Sequence, residues 1–231
     1  MPNDNQIQVE LQSFMGSDLD IANSAWTSSL SKDASNNKTQ EQVESLVSRL
    51  AKDGHSTPFE SVVFRFWIKM PIQTDRQHMT HRIASHNGMS GRYRTMPAEW
   101  LSMPDDVYAI LDKAMHADKI KEKYEELCFE ANSFYSGLLP LLKSNQSSGY
   151  ITNPEYKRAR EFLRGVLPQN NMTERVTIMN LRSFANYQRL RNSEHAQPEI
   201  RLVAQLMLEQ VKDKGIAPVA IAALEANDWR I

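Results

Sequence analysis

The sequence predicts a folded protein of mixed helix and strand, and three observations predict it. Residues 6–14 (QIQVELQSF) alternate Ile7, Val9 and Leu11 against Gln8, Glu10 and Gln12, the period of a half-buried strand. Ser61–Met70, rich in Val, Phe, Trp and Ile, and Thr173–Asn180 read as two further strands. Between and after these stretches, apolar residues recur at helical spacing. With 41% hydrophobic and 24% charged residues the chain resembles ordinary globular proteins, so disorder is not expected. A length of 231 residues suffices for a sizeable core in one domain spanning 1–231, with or without a helical insertion.

Taken in order, the first strand is followed by two expected helices, Asp18–Leu30 and Thr39–Ala51, joined by Ser, Asn and Lys residues. Thr39 and Gln42 have capping-box spacing, Val43, Leu46, Val47 and Leu50 form one stripe, and Gly54 ends the helix. A loop, His55–Glu60 (HSTPFE), feeds the second strand. Pro71 suits a helix start, so Ile72 to about Arg82 is expected to be helical, with Ser85–Gly91 an irregular loop or short strand. Pro104–Lys143 reads as helix, with Tyr108, Leu111, Met115, Ile120, Tyr124, Leu127 and Phe134 as expected core contacts. Asn153, followed by Pro154 and Glu155, is expected to cap a helix ending near Arg164-Gly165. The third strand leads into a helix through Arg191, and Gln197–Lys214 and Pro218–Trp229 close the chain.

The chemistry concentrates in residues 76–93, RQHMTHRIASHNGMSGRY. This stretch holds Arg76, His78, His81, Arg82, His86 and Arg92, and no acid occurs between Arg76 and Ala98. Gln77, Thr80, Ser85, Asn87 and Ser90 add hydrogen-bonding groups, and Gly88 and Gly91 permit close backbone approach to an anion. The alternative is a solvated basic helix end. The formal charge of the whole chain is −1, which argues against non-specific nucleic-acid binding and favours a small phosphorylated ligand. Cys128 is the single cysteine, so intrachain disulfides and cysteine-rich zinc sites are excluded. His78 and His81 could share a helix face, but no nearby carboxylate or cysteine joins them, and no metal is expected. No signal peptide or transmembrane run is legible, so a cytoplasmic protein is expected.

Four ordered blocks resemble the flavin-dependent thymidylate synthases, whose signature is written RHRxxSxNxxSxR. They are H-S-T-P-F-E at 55–60, residues 76–93, Arg164-Gly165-Val166-Leu167-Pro168, and Asn180-Leu181-Arg182-Ser183 with Asn186, Leu190-Arg191 and His195-Ala196-Gln197. The resemblance runs from about residue 54 to 200. It implies an α+β fold, a twisted, mainly antiparallel sheet with flanking helices, assembled as a homotetramer with sites between subunits. It also implies methylation of dUMP to dTMP with FAD as cofactor and methylenetetrahydrofolate and NADPH as cosubstrates. Such a site holds several anionic ligands, which accounts for a cationic pocket in a near-neutral chain.

Carried over by motif position, Ser90, Gly91 and Arg92 are implied to bind dUMP, with Gln77, His78, Thr80, Gly88, Met89 and Arg164 beside them. Arginine grips phosphate through parallel charge-assisted hydrogen bonds, which suits Arg92 and Arg164. Arg191 is implied as the catalytic residue beside the base, a permanent cation able to stabilise developing negative charge. His55, Thr57, Thr80, His81, Arg82, Ile83, Gly88, Asn180, Arg182 and Asn186 are implied to hold FAD, with Arg182 and Asn186 four apart on one helix face. Three positions depart from the pattern: Thr80 replaces the first signature arginine, Gly88 a usual glutamate, and Ser61 the histidine after P-F-E. Thr80 and Gly88 remove opposite charges together and are small, which predicts space that could admit water and yield a hydroxymethylated dUMP or dCMP. The alternatives are that Arg76 or Arg94 takes the lost place, or that the protein binds nucleotide or flavin without catalysis.

Overall fold

The computed structural model describes residues 6–28 and 38–231. In chain order these form β1 (Gln8–Met15), α1 (Asp18–Thr27), α2 (Gln40–Lys52), β2 (Val63–Pro71), α3 (Ile72–His78), β3 (Ser85–Gly88), α4 (Asp105–Ala114), α5 (Ala117–Ser147), α6 (Asn153–Leu163), β4 (Met172–Asn180), α7 (Leu181–Arg191), α8 (Pro198–Asp213) and α9 (Pro218–Ala226). Short 3-10 turns at Thr57–Ser61 and Arg164–Val166 precede β2 and follow α6. The four strands pair in the order β1-β2-β4-β3, an open antiparallel sheet, as expected for an α+β fold. The described residues divide into two compact units. One comprises residues 6–7, Lys69–Arg76 and Gly88–Glu174, and the other Gln8–Ile68, Gln77–Asn87 and Arg175–Ile231.

The second unit contains most of the sheet and an aromatic core. Phe64 and Phe66 are fully buried and alternate along β2 with the less buried Val63, Arg65 and Trp67. They meet Phe184 of α7 at centroid distances of 5.1 and 6.1 Å, and Trp229 closes on Phe184 edge-on at 6.1 Å. α2 begins with the expected capping box between Thr39 and Gln42, and Val43, Leu46, Val47 and Leu50 are all buried. The expected helix over 18–30 ends at Thr27; Leu30 and most of the Ser/Asn/Lys connection lie outside the described residues. Asp18 caps α9 from a distance in sequence, accepting from Val219 N at 3.1 Å and Ala220 N at 2.8 Å. Burial raises its pKa, and the two backbone bonds oppose that rise. Gly16 adopts a φ of +91°, and a Cβ there would stand 2.5 Å from the Ser61 carbonyl oxygen, so this approach admits only glycine.

α3 is shorter than expected, stopping at His78 rather than about Arg82. Thr80 N and His81 N bond three residues back, to Gln77 O and His78 O, and the Thr80 hydroxyl also donates to Gln77 O at 2.7 Å. This local competition for carbonyls ends the α-helix.

The other unit is mainly helical. The expected single helix over 104–143 is two, broken at Met115-His116. Its expected core is also partly wrong: Met115, Leu127 and Phe134 are 54, 53 and 52% exposed, whereas Cys128, Tyr135 and Leu139 are buried. The reason is visible in the sequence of α5. Leu127, Phe134 and Leu141 form one seven-spaced apolar row, and Cys128, Tyr135 and Leu139 lie on an adjacent row containing Asn132. Tertiary hydrogen bonds select the row that contains a polar residue, because Asn132 and Asn171 exchange side-chain bonds of 3.1 and 2.7 Å. α6 is capped by Thr152 rather than Asn153: the Thr152 hydroxyl accepts from Glu155 N and Glu155 accepts from Thr152 N at 2.7 Å.

Candidate functional site

In the second unit, the turn after α3 and one face of α7 line a cleft of about 1010 Å³. α7 is amphipathic in the required sense, burying Phe184, Ala185, Tyr187 and Gln188 and leaving Arg182, Asn186, Arg189 and Leu190 exposed. Those four side chains, with Thr80, His81, Arg82, Ile83, Asn180 and Arg191, form much of the lining. Asn180 starts the helix, its Oδ1 accepting from Ser183 N at 2.9 Å, so the electropositive end of α7 borders the cleft. Six cationic side chains (Lys52, Arg82, Arg182, Arg189, Arg191, Arg230) face it against two acids, Asp53 and Glu60. Arg182 spends part of its charge on Glu60 at 2.7 Å. The balance still favours an anion.

Arg191 is held at two atoms. Its Nε donates to His81 Nε2 at 2.8 Å and one Nη2 hydrogen goes to Thr80 Oγ1 at 2.9 Å. His81 therefore presents a bare Nε2 and carries its proton on Nδ1. Burial, reinforced by the Arg191 charge and by His86, lowers the His81 pKa to about 4. The ring is expected to show that midpoint by NMR titration of its carbon-bound protons. Because its folded pKa lies below the unfolded value of 6.5, the associated stability is complete above pH 6.5 and declines as pH falls to about 4. A midpoint near 6.5 would show that His81 is not buried beside Arg191 in solution.

Beneath His81 lies a polar chain whose direction follows by elimination. The His81 carbonyl can only accept, so His86 donates to it from Nε2 at 3.2 Å. With a single ring proton on His86, its Nδ1 is bare and accepts from the Thr177 hydroxyl at 3.2 Å. That spends the one hydroxyl proton, so His78 donates from Nε2 to Thr177 at 2.8 Å, and Tyr187 donates to His78 Nδ1 at 2.9 Å. His78 is fully buried and its pKa is pushed well down, first by desolvation and then by His86, Arg175, His81 and Arg191. Both of its ring nitrogens are engaged inside the protein, so its geometry is that of a scaffold residue. The Tyr187 ring also lies 4.6 Å from the His81 ring.

Gln77 is engaged with Gln197 rather than with the cleft. His55 and Thr57 stand on the exposed loop beside Gly54 and Glu60; those neighbours line the cleft and these two do not.

The remaining expected residues occupy the other unit. Tyr93 N and Arg94 N bond back to Ser90 O, so Ser90, Gly91 and Arg92 form a turn. A Cβ at Gly91 would lie 3.1 Å from Arg164 Cδ and 3.3 Å from Arg164 Nη1, so the Arg164 side chain lies close against this turn and would have to shift by a few tenths of an ångström for any larger residue. Arg92 pairs with Glu161, and Met89 N donates to Glu174 O at 2.8 Å at the end of β3, next to Gly88. The structure thus brings together two groups, Thr80–Ile83 with Asn180–Arg191 in one unit and Ser90–Arg92 with Arg164 in the other.

The sequence profile described as thymidylate synthase complementing protein matches residues 10–219. The chain belongs to this family. A flavin-dependent thymidylate synthase of Treponema denticola is 31% identical over 229 residues, covering 95% of this chain and 79% of that protein. One from Thermotoga neapolitana is 33% identical over 206 residues, covering 89 and 86%. The solved UMP/dUMP methylase PolB of Streptomyces cacaoi, bound with 5-Br dUMP, matches the fold with a TM-score of 0.71 at 24% identity, over 95% of both chains. The chain is an enzyme of the thymidylate synthase complementing family.

Against the family's signature, the departure at position 80 places a hydroxyl under Arg191. Arg94 is paired with Glu174 at 3.2 Å and Arg76 reaches Gln169 at 3.5 Å. Sequence reasoning missed Thr177, Tyr187 and Glu60, which orient His78, His86 and Arg182. The only signal for Thr177 and Tyr187 was a polar residue at an inward position of a strand and of a helix. Among the described residues no group of three or more His, Cys, Asp or Glu could hold a metal ion, and no helix is long and apolar enough to cross a membrane.

Proposed function

We propose that this enzyme methylates dUMP to dTMP in an FAD-dependent reaction, with methylenetetrahydrofolate as carbon donor and NADPH as reductant, and works as a homotetramer. The observation that carries the reading is Arg191, fixed by Thr80 and His81 at a cleft with a marked excess of cations. The names of the relatives, flavin-dependent thymidylate synthase, support the flavin and the product. The PolB structure, a UMP/dUMP methylase bound with 5-Br dUMP, supports a uridine nucleotide as substrate.

The cleft suits FAD by size and charge: about 1010 Å³ lies at the upper end of the usual range for small-molecule sites, and its cations match a diphosphate. Arg82, Arg182 and Asn186, with the N-terminal turn of α7 at Asn180, are the groups that would hold it. When bound, the flavin supplies hydride to reduce the transferred carbon. The chain's own residues bind and orient. Arg191 has three N–H donors left after its bonds to His81 and Thr80, and presents a fixed positive charge to the pyrimidine ring. Arg92 and Arg164, gathered at the Ser90–Arg92 turn, suit a monophosphate; Arg92 would exchange Glu161 for the ligand.

Purified protein, reconstituted with FAD, is to be incubated with dUMP or dCMP, methylenetetrahydrofolate and NADPH, and the products identified by mass spectrometry. Formation of dTMP from dUMP is the expected result. A hydroxymethylated nucleotide as main product would replace the methylation reading, and failure of the folded protein to take up FAD would overturn it.

A further inference from the structure

We propose that Thr80 is a positioning residue for Arg191, setting the plane of its guanidinium; the inference rests on the catalytic reading of Arg191 given above. The hydroxyl of Thr80 has a single proton, and that proton is committed to the Gln77 carbonyl at 2.7 Å. Only lone pairs then face Arg191, which fits the observed 2.9 Å contact from Nη2. The second hold, Nε to His81 Nε2 at 2.8 Å, comes from the adjacent residue. Nε and Nη2 bound together account for one edge of the planar fork. A guanidinium bonded at Nε alone can still pivot about that hydrogen bond and exchange its Nη groups by flips about Nε–Cζ, whereas two bonds hold its plane and oppose the flips. The Nη1–Nη2 end keeps two parallel N–H donors, a geometry for a planar group with two adjacent acceptors or a delocalised negative charge.

The turn is suited to this task. It closes on backbone bonds from Thr80 N to Gln77 O and His81 N to His78 O, which place residues 80 and 81 side by side. The His81 carbonyl is held from below by His86. Thr80 itself is exposed and lines the cleft, so its role in packing is small. An arginine at this position offers no lone pair to a second guanidinium. The threonine is therefore an active part of how this chain holds Arg191.

The test uses the full chain reconstituted with FAD. Thr80→Val keeps the shape and removes the hydroxyl; Thr80→Ser keeps the hydroxyl. Thr80→Val is expected to lower kcat about tenfold, the equivalent of one lost hydrogen bond, with KM for dUMP and FAD affinity within about threefold of the parent. Thr80→Ser is expected to recover turnover to within about threefold. A readout independent of turnover is the 15N spectrum of the arginine side chains. Arg191 in the parent should show hindered rotation about Nε–Cζ, with separate Nη signals, and Thr80→Val should merge them. Unaltered Nη signals in Thr80→Val overturn the proposal whether or not the protein makes dTMP. So does a Thr80→Ser enzyme as slow as Thr80→Val, or a loss confined to FAD affinity. If the parent makes no methylated nucleotide but the Nη signals merge as expected, the failure lies with the proposed reaction and the positioning stands.

Discussion

Arg191→Ala is expected to lower turnover by roughly 10²–10³-fold, the usual effect of removing one preorganised donor from a site where charge develops. The size follows from how firmly the group is held. Arg191 is half-buried, tied by bonds of 2.8 and 2.9 Å, and needs no reorganisation to meet a negative charge. Alanine leaves that place to water, whose dipoles must reorient during the reaction. The loss should appear in kcat more than in KM, because the donor stabilises charge that the ground-state pyrimidine does not carry. Arg191→Lys should fall between the two enzymes, since an ammonium keeps the charge but cannot present a planar fork tied along one edge. The measurement is steady-state kinetics of the FAD-reconstituted protein, with circular dichroism to show an intact helix content. An effect confined to KM would reassign Arg191 to simple binding.

Phe184→Ala is expected to destabilise the fold by about 3–5 kcal/mol, the range for deleting a large aromatic from a packed core. Phe184 has no exposed surface and touches three rings, those of Phe64, Phe66 and Trp229. Its consequence for the site is indirect. The face of α7 opposite Phe184 carries Arg182, Asn186 and Arg189, so loosening this contact should also weaken FAD binding. Added FAD should in turn recover part of the lost stability, as binding to the native state alone requires. Urea unfolding with and without FAD measures both effects. A loss under 1 kcal/mol would mean that the aromatic cluster is not the core it resembles.

Much of the fold was legible because its causes are local. The capping box at Thr39 and Gln42, the amphipathic period of α2 and the alternation along β2 each depend on a few neighbouring residues. The sequence therefore placed nearly every element within a few residues. It failed where two local answers were equally good. In α5 the rows through Leu127 and Cys128 both carry apolar residues at helical spacing, and at α6 Thr152 and Asn153 are both competent caps. It also failed where a side chain competed with the helix, as Thr80 does at the end of α3.

The sequence by itself determined that residues 76–93 are cationic, that Gly88 and Gly91 permit close backbone approach, and that Arg182 and Asn186 share a face. Composition and spacing are sufficient for those statements. Only the tertiary structure decided what each group touches. Thr80 and His81 meet Arg191 across 111 and 110 residues of chain, after β4 and α7 return to the turn that follows α3. The direction of the Tyr187–His78–Thr177–His86 chain likewise depends on a carbonyl that no pattern of side chains reveals. The tertiary structure also divided the basic stretch, giving Gln77–Asn87 to one compact unit and Gly88 onward to the other. The physical reason is the reach of the forces involved. Helix and strand periodicity is set within a turn or two of chain, whereas a hydrogen bond is specific only once both partners have been brought within about 3 Å.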